Sequence, residues 1–370
     1  MDLAYSDEQA MLRESAERFV RDVGGSLPKD PNALWLQFAE LGWLALPLPE
    51  DHGGLGGMPL DVSILLEAFG HGRLVTSYVG TIVLGAGLVA TLGTDGQRAA
   101  ILPDVASGSH RLALAHVEVG PRGGPAGLTT RATADAETWR LTGRKIAVID
   151  GPDADTLIVS AVASDGLGLF LVPRNAAGVA ITPYPALGGG SACSVSFDDV
   201  VLFGEARLGS GDVSAALERT TDVAIAAQCA ELVGIMAALL EATTSYTNTR
   251  EQFGKPLTAN QTVRFKLADM AIAVEEARSM ALRAALTLDG ADLDRVRAVA
   301  GAKAKIGRGA RLVAETAIQL HGAMGVTEEL VIGSYYKRIL AIEAMFGGVD
   351  DQLIRHARAS NRLAPQRVAT

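Results

Sequence analysis

Apolar positions recur at helical spacing through the first hundred residues of the chain. Ser6 opens the segment S-D-E-Q, a capping box in which Gln9 reaches back to its own helix start. The helix that follows is expected to bury Met11, Leu12, Ala16, Phe19 and Val20. Residues 34–46 continue helically, with Trp35, Phe38, Leu41 and Leu44 on one side. The glycine-rich segment 47–57, P-L-P-E-D-H-G-G-L-G-G, reads as a turn between helices. It is a poor phosphate loop, because no basic residue accompanies its glycines. Residues 60–69 and 81–92 are again helical, and Pro103 is expected to end this all-α region near residue 110.

The period then changes. Residues 112–117, 128–134, 139–149, 156–162, 168–172, 179–183 and 192–197 are short runs of β-forming residues separated by Gly, Asp, Asn and Pro. Such runs predict a small antiparallel barrel or sandwich, closed by V-S-F-D-D-V-V-L at 195–202. From about residue 212 the helical period returns. Residues 224–246 form a long helix in which Ala230, Gly234, Ala237 and Ala238 allow close helix contact. Helices follow at 261–288, 292–320, 329–345 and 350–360, the first with an apolar stripe of Val263, Leu267, Met270, Val274, Ala277 and Leu282. Long helices joined by short loops predict a four-helix bundle. The fold class is therefore α+β and multidomain. An N-terminal helical domain covers 1–110, a middle β domain 111–208 and a C-terminal bundle 209–370.

Residues 246–261, Y-T-N-T-R-E-Q-F-G-K-P-L-T-A-N-Q, hold the densest candidate chemistry. Arg250 is a fixed cation whose planar fork suits a diphosphate. Phe253 offers an apolar plane, Gly254 ends a turn, and Lys255-Pro256 forces an extended exit. The bland alternative is a helix–loop–helix corner with one exposed arginine.

Composition narrows the field. The hydrophobic content of 48% and charged content of 20% belong to an ordinary globular chain. The net charge of −9 argues against a nucleic-acid partner, though not against a small anion held by a local positive patch. No apolar run in the sequence reads as a membrane span, and the acidic start does not read as a signal peptide. Cys193 and Cys229, far apart, fit a reducing cytoplasm better than a disulfide framework.

Four segments carry a resemblance to the acyl-CoA dehydrogenase family, and the likeness spans essentially the whole chain. They are E-L-G-W-L-A-L-P-L-P-E-D-H-G-G-L-G at 40–56, L-T-G-R-K at 141–145, T-R-E-Q-F-G-K-P-L at 249–257 and I-Q-L-H-G-A-M-G-V at 318–326. The resemblance implies FAD as cofactor, an acyl-CoA thioester as substrate, an electron-transfer flavoprotein as electron acceptor, and an oligomer. It further implies that Arg250 and Phe253 reach across a subunit interface to the neighbour's FAD diphosphate and adenosine. Leu257 and Gln261 follow in the same motif. Gln319, Leu320, Gly322 and Gly325 match a motif that approaches the adenine-side ribose and phosphate, with Ala323 replacing one of its glycines. Glycines let backbone donate to phosphate, and glutamine pairs with hydroxyls in either sense. No metal ligand set is implied.

The chain also departs from that pattern. The family's reaction needs a carboxylate base for the α-proton. Counting forward from Gln319 and back from Arg358 places Phe346 at the usual base position, and a slide by one residue gives Gly347. The alternative position, on the first bundle helix, falls on Ala224. None of these can take a proton, so the catalytic residue is unassigned. Glu343, Asp350 and Asp351 lie near the empty position, but a charge near a helix end is more simply a solvated cap. Val117 stands where the family has a hydroxyl. Ala147, Val148 and Ile149 stand where it has Trp-Ile-Thr, packed at the flavin ring. His116 and His321 read as structural, Met270, Met280 and Met324 as core, and Cys229 as a small hydrophobe. The losses together point to one half of an unequal pair, similar to the small subunits of pimeloyl-CoA dehydrogenase type and of steroid side-chain dehydrogenases. The competing readings are a same-fold flavin oxidase or monooxygenase and a ligand-free structural subunit.

Overall fold

The computed structural model describes residues 5–23, 31–120, 127–135, 137–327 and 330–360. Its contacts divide the chain into two compact units. One comprises Met1–Leu27, Pro59–Val75 and Ile225–Thr370, the other Pro28–Met58 and Thr76–Ala224.

The first unit is helical. It holds α1 (Asp7–Val23), α3 (Pro59–Gly72), α7 (Gln261–Leu286), α8 (Asp292–His321), α9 (Ile332–Ala344), α10 (Val349–Ala359) and most of α6 (Ser214–Thr249). The capping box at the start of α1 forms. Gln9 N–H donates to Ser6 Oγ and Ser6 N–H to Gln9 Oε1, each at 3.2 Å. Ala16 and Val20 are buried, but Met11 is exposed, correcting the expected stripe. Met11 stands roughly 140° round the helix from Ala16, outside the buried arc. Two glycines set the crossing of α3 and α6. A methyl on Gly70 would lie 2.0 Å from the Glu231 carbonyl oxygen, and one on Gly234 would lie 1.9 Å from that of Glu67. Backbone meets backbone there, so only glycine fits.

Buried charges fasten α9 within this unit. Arg338 donates to both carboxylate oxygens of the buried Glu231, at 2.6 and 3.0 Å. Lys303 on α8 is buried and donates to the Ile342 carbonyl at 2.6 Å and to Gln228 Oε1 at 3.3 Å. Burial pulls its pKa down to about 8. By length and composition α6 is apolar enough to cross a membrane, yet most of that stretch is buried inside the protein, as suits a core helix. Met324 is exposed rather than core. The expected start of the helix at 329 lies outside the described residues.

The second unit joins short helices to the sheet. Its helices are α2 (Pro31–Glu40), a π-helix (Tyr78–Ala86), α4 (Gly87–Leu92) and α5 (Asp95–Ala106). The segment 47–57 is indeed a turn, built round a single 3₁₀ turn at Glu50–His52. Leu41 is exposed just past the end of α2, against expectation. Pro103 does not end the helical region before its turn: it lies inside α5, which runs on to Ala106. A capping box of Thr94 and Gln97 starts that helix, as its T-D-G-Q sequence allows.

The strands are β1 (Leu112–Ala115), β2 (Arg131–Asp135), β3 (Thr138–Ile149), β4 (Thr156–Ala163), β5 (Gly166–Pro173), β6 (Val179–Pro185), β7 (Ser191–Phe203) and β8 (Arg207–Leu208). They form one eight-stranded sheet in the order β6-β7-β3-β2-β4-β5-β8, with β1 pairing β4. The sheet is mixed rather than wholly antiparallel, because β1 and β2 each meet β4 in parallel. The β2–β3 hairpin intervenes between β1 and β4, giving the chain the length a parallel return needs. Leu141, Val148, Leu157, Phe170, Val195 and Phe197 fill the core.

Candidate cofactor site

The end of α6 passes into a hairpin of β9 (Glu251–Gln252) and β10 (Lys255–Pro256). Phe253 and Gly254 form its two-residue turn, both with positive φ, 53° and 75°. A two-residue loop of this kind matches strand twist, but it places a phenylalanine in the left-handed region, where bulky residues are strained. The Phe253 side chain is 99% exposed. An aromatic ring so exposed contributes nothing to this chain's own core. Arg250 at the foot of the hairpin is exposed. Its side chain makes no hydrogen bond or ion pair to another described residue. The Leu257 N–H donates to the Arg250 carbonyl at 3.0 Å, and Leu257 is half-buried beneath the hairpin. Gln261 is the exposed first residue of α7, just after the cap in which Asn260 Oδ1 accepts from Thr262 N–H at 3.0 Å.

The second motif closes α8. Gln319 is exposed and Leu320 half-buried. Gly322 has φ 63° and ψ −140°, a conformation open essentially to glycine alone, and a methyl there would meet open space. Gly325 is buried, and a methyl on it would stand 2.8 Å from the Ile318 carbonyl oxygen. The two motifs lie together. The Tyr246 ring stacks on His321 with centroids 4.4 Å apart, while His321 Nδ1 pairs with the Ala317 carbonyl at 2.8 Å. Thus Arg250, Phe253, Gln319 and Gly322 are carried on adjoining ends of α6 and α8. Guanidinium, carboxamide and bare glycine backbone are a donor set for a diphosphate and its ribose. This part of the chain fits one end of FAD.

The reaction's proton chemistry finds no such support. Phe346 has φ 57°, and its carbonyl accepts from Gln352 Nε2 at 2.6 Å. Ala224 is fully buried. Of the neighbouring carboxylates, Glu343 pairs with Arg311 at 2.6 Å and Asp351 accepts from Gly348 N–H at 3.0 Å, at the start of α10. Asp350 is exposed in the first turn of that helix.

In the second unit, L-T-G-R-K builds something the sequence alone did not reveal. Lys145 is wholly buried and donates to Glu118 Oε1 at 2.7 Å, Ser160 Oγ at 3.0 Å and the His116 carbonyl at 3.3 Å. Thr129 and Thr130 add donors to the same carboxylate. Burial pushes the Glu118 carboxyl up, but the Lys145 and threonine hydrogen bonds outweigh it and hold the group at about 2. His116 Nδ1 sits 2.9 Å from Ser160 Oγ, and burial together with Lys145 lowers its pKa to about 4. The imidazole is therefore neutral and structural. Glu118 lies just past the end of β1 and Lys145 on β3, so no local pattern in the sequence signals the pair, and burial of Lys145 makes a partner necessary.

Beyond Lys145, β3 skips register, and Ala147 sits in the left-handed region at φ 50°. Val117 is half-exposed beside it, its carbonyl accepting from Ile146 N–H at 2.9 Å. A cavity of about 370 Å³ lies elsewhere, in the first unit. Arg13, Glu67, His71, Glu241 and Arg278 are among its lining residues. Those residues pair with acidic or basic neighbours of the chain, as in His71–Glu241 and Arg278–Glu67, and include none of the motif residues. Both cysteines are buried free thiols.

Three acyl-CoA dehydrogenase sequence profiles match in succession: the N-terminal domain over residues 6–109, the middle domain over 115–200 and the C-terminal domain over 215–360. The chain belongs to the acyl-CoA dehydrogenase family, a family of oxidoreductases whose cofactor is FAD. It is 30% identical to the probable acyl-CoA dehydrogenase YngJ of Bacillus subtilis (strain 168), covering 89% of this chain and 91% of that one. Among solved structures, a variant of the Tcur3481-Tcur3483 steroid ACAD is 32% identical with TM-score 0.84, covering 96% of this chain and 98% of that one. The ChsE4-ChsE5 complex from Mycobacterium tuberculosis is 27% identical with TM-score 0.85 over the full length of both chains.

Proposed function

We propose that this chain is the base-less subunit of a heteromeric acyl-CoA dehydrogenase and completes the FAD site of a partner subunit. The observation that carries the reading is a contrast within one chain. Arg250 and Phe253 stand exposed with no side-chain partner among the described residues, while the base positions hold Phe346 and Ala224. A residue set that grips a diphosphate but cannot take a proton is useful only where another chain supplies the base. Arg250, Phe253, Leu257, Gln261, Gln319, Leu320, Gly322 and Gly325 form the contribution in trans. The partner holds the flavin ring and the carboxylate, and the pair acts on an acyl-CoA thioester, passing electrons to an electron-transfer flavoprotein. Two of the similar structures carry paired names, which supports the reading. The test is coexpression with a complete acyl-CoA dehydrogenase chain from the same source. The expected product is a mixed complex with one FAD for each pair of chains; a complex with one FAD in every chain would sink the proposal.

A further inference from the structure

The bulge in β3 gives this chain a second, less obvious property. Between Lys145 and Val148 the strand leaves the β3–β7 ladder, so the N–H groups of Ile146 and Ala147 lose their partners on β7. Buried or half-buried donors must be satisfied somewhere, and a bulge commonly presents its spare donors to a ligand. Here both are taken by the chain itself. Ile146 N–H donates to the Val117 carbonyl at 2.9 Å. Ala147 N–H donates to the Tyr184 hydroxyl oxygen at 3.0 Å. Tyr184 comes from β6, two strands away across β7, and its hydroxyl also lies 3.5 Å from the Cys193 carbonyl.

Register fixes which face this covers. Ile149 pairs with Ala192, and Ala192 pairs with Tyr184, so these three side chains share one face of the sheet. Val148 and Cys193, one position away, point into the core. Tyr184 thus crosses the outward face at Ala147 and Ile149, the positions where the family packs residues against the flavin ring. The same face also carries Thr182, Ser194 and Ser196, and Val117 is half-exposed beside the bulge.

We propose that Tyr184 closes this chain's own flavin-ring face, by laying its ring over the β3 bulge and consuming the Ala147 N–H. The inference rests on the half-site reading above and adds to it: the chain is barred from building a competing flavin site, and the cofactor is directed to the partner. A tyrosine that merely ties down a bulge would give the same hydrogen bond without the same consequence for flavin.

The two are separated by titrating FAD into the isolated chain, with flavin fluorescence quenching as readout. The wild type, Tyr184→Val and Tyr184→Phe are compared, with chemical denaturation showing that each is folded. Tyr184→Val uncovers the face and is expected to bind FAD at least about tenfold more tightly than wild type. Tyr184→Phe frees the Ala147 N–H but leaves a ring of the same size, and is expected to bind FAD more tightly than wild type and less tightly than Tyr184→Val. A folded Tyr184→Val that binds no better than an apo wild type overturns the closure and leaves the half-site reading standing. A wild-type chain that already binds FAD stoichiometrically overturns the half-site reading and the closure with it.

Discussion

The ring of Tyr246 lies 4.4 Å from that of His321, with the planes 23° apart. This stack joins the helix that leads into the Arg250 hairpin to the helix that ends at His321, just before Gly322, and so holds the two cofactor motifs side by side. Removing the ring should loosen both. Tyr246→Ala is expected to lower stability by roughly 1–2 kcal/mol and to weaken FAD retention in the mixed complex, whereas Tyr246→Phe leaves both unchanged. Denaturation midpoints and flavin content of the three proteins check this; equal flavin retention in all three would show that the stack has no bearing on the site.

Arg250 has the opposite character, since its side chain makes no hydrogen bond or ion pair to another described residue. Arg250→Ala should leave the stability of the isolated chain within about 0.5 kcal/mol of wild type. In the mixed complex the same change removes a charge-assisted contact to the diphosphate, and FAD affinity should fall about 10- to 100-fold. Arg250→Lys keeps the charge without the planar fork and should recover only part of the loss. Equilibrium dialysis of FAD against the complex measures each value.

The His116 imidazole carries a pH signature. Its pKa is about 4 in the folded chain against about 6.5 when unfolded. Between those values the unfolded chain binds more protons, so stability rises with pH across that window and falls as the pH drops through it. The full effect is of order 3 kcal/mol. Urea denaturation at pH 7 and pH 4.5 should show this loss in wild type, and His116→Leu should flatten it. An unchanged slope in His116→Leu would assign the titration elsewhere.

The glycines at the α3–α6 crossing give a stability prediction with no functional content. Gly234→Ala drives a methyl into the Glu67 carbonyl, where neither partner is a flexible side chain. The cost is expected at about 3 kcal/mol or more. Denaturation of Gly234→Ala beside Gly211→Ala, whose added methyl meets open space although its φ of 68° costs some strain, separates the clash from strain alone.

Periodicity carried most of the architecture. Every predicted strand run overlaps a strand, and α7, α8 and α10 fall close to their expected bounds, because burial on one face leaves a repeating trace in sequence. The exception is α6, which starts at Ser214, ten residues before the expected 224. What escaped was set by contacts between distant segments. The parallel pairing of β1 with β4 depends on how the chain returns, not on any strand's own composition. Pro103 sits within α5 because the helix is well started at Thr94, and one lost hydrogen bond near its end is tolerable. At the site, Arg250 and Gln319 were legible as motif residues. Tyr184 was not: it reaches Ala147 across an intervening strand from a segment with no motif, so only register brings the two together. Lys145 was visible as part of a motif, yet its partner Glu118 comes from the segment after β1 and no sequence pattern links the two.

The most direct test of the central claim is the FAD content per chain of the protein purified alone, from flavin absorbance against protein concentration. A chain that supplies only the diphosphate grip should emerge without flavin, and gain it when coexpressed with a complete partner. Near-stoichiometric FAD in the isolated protein would contradict the account, because the chain would then be building a whole site by itself.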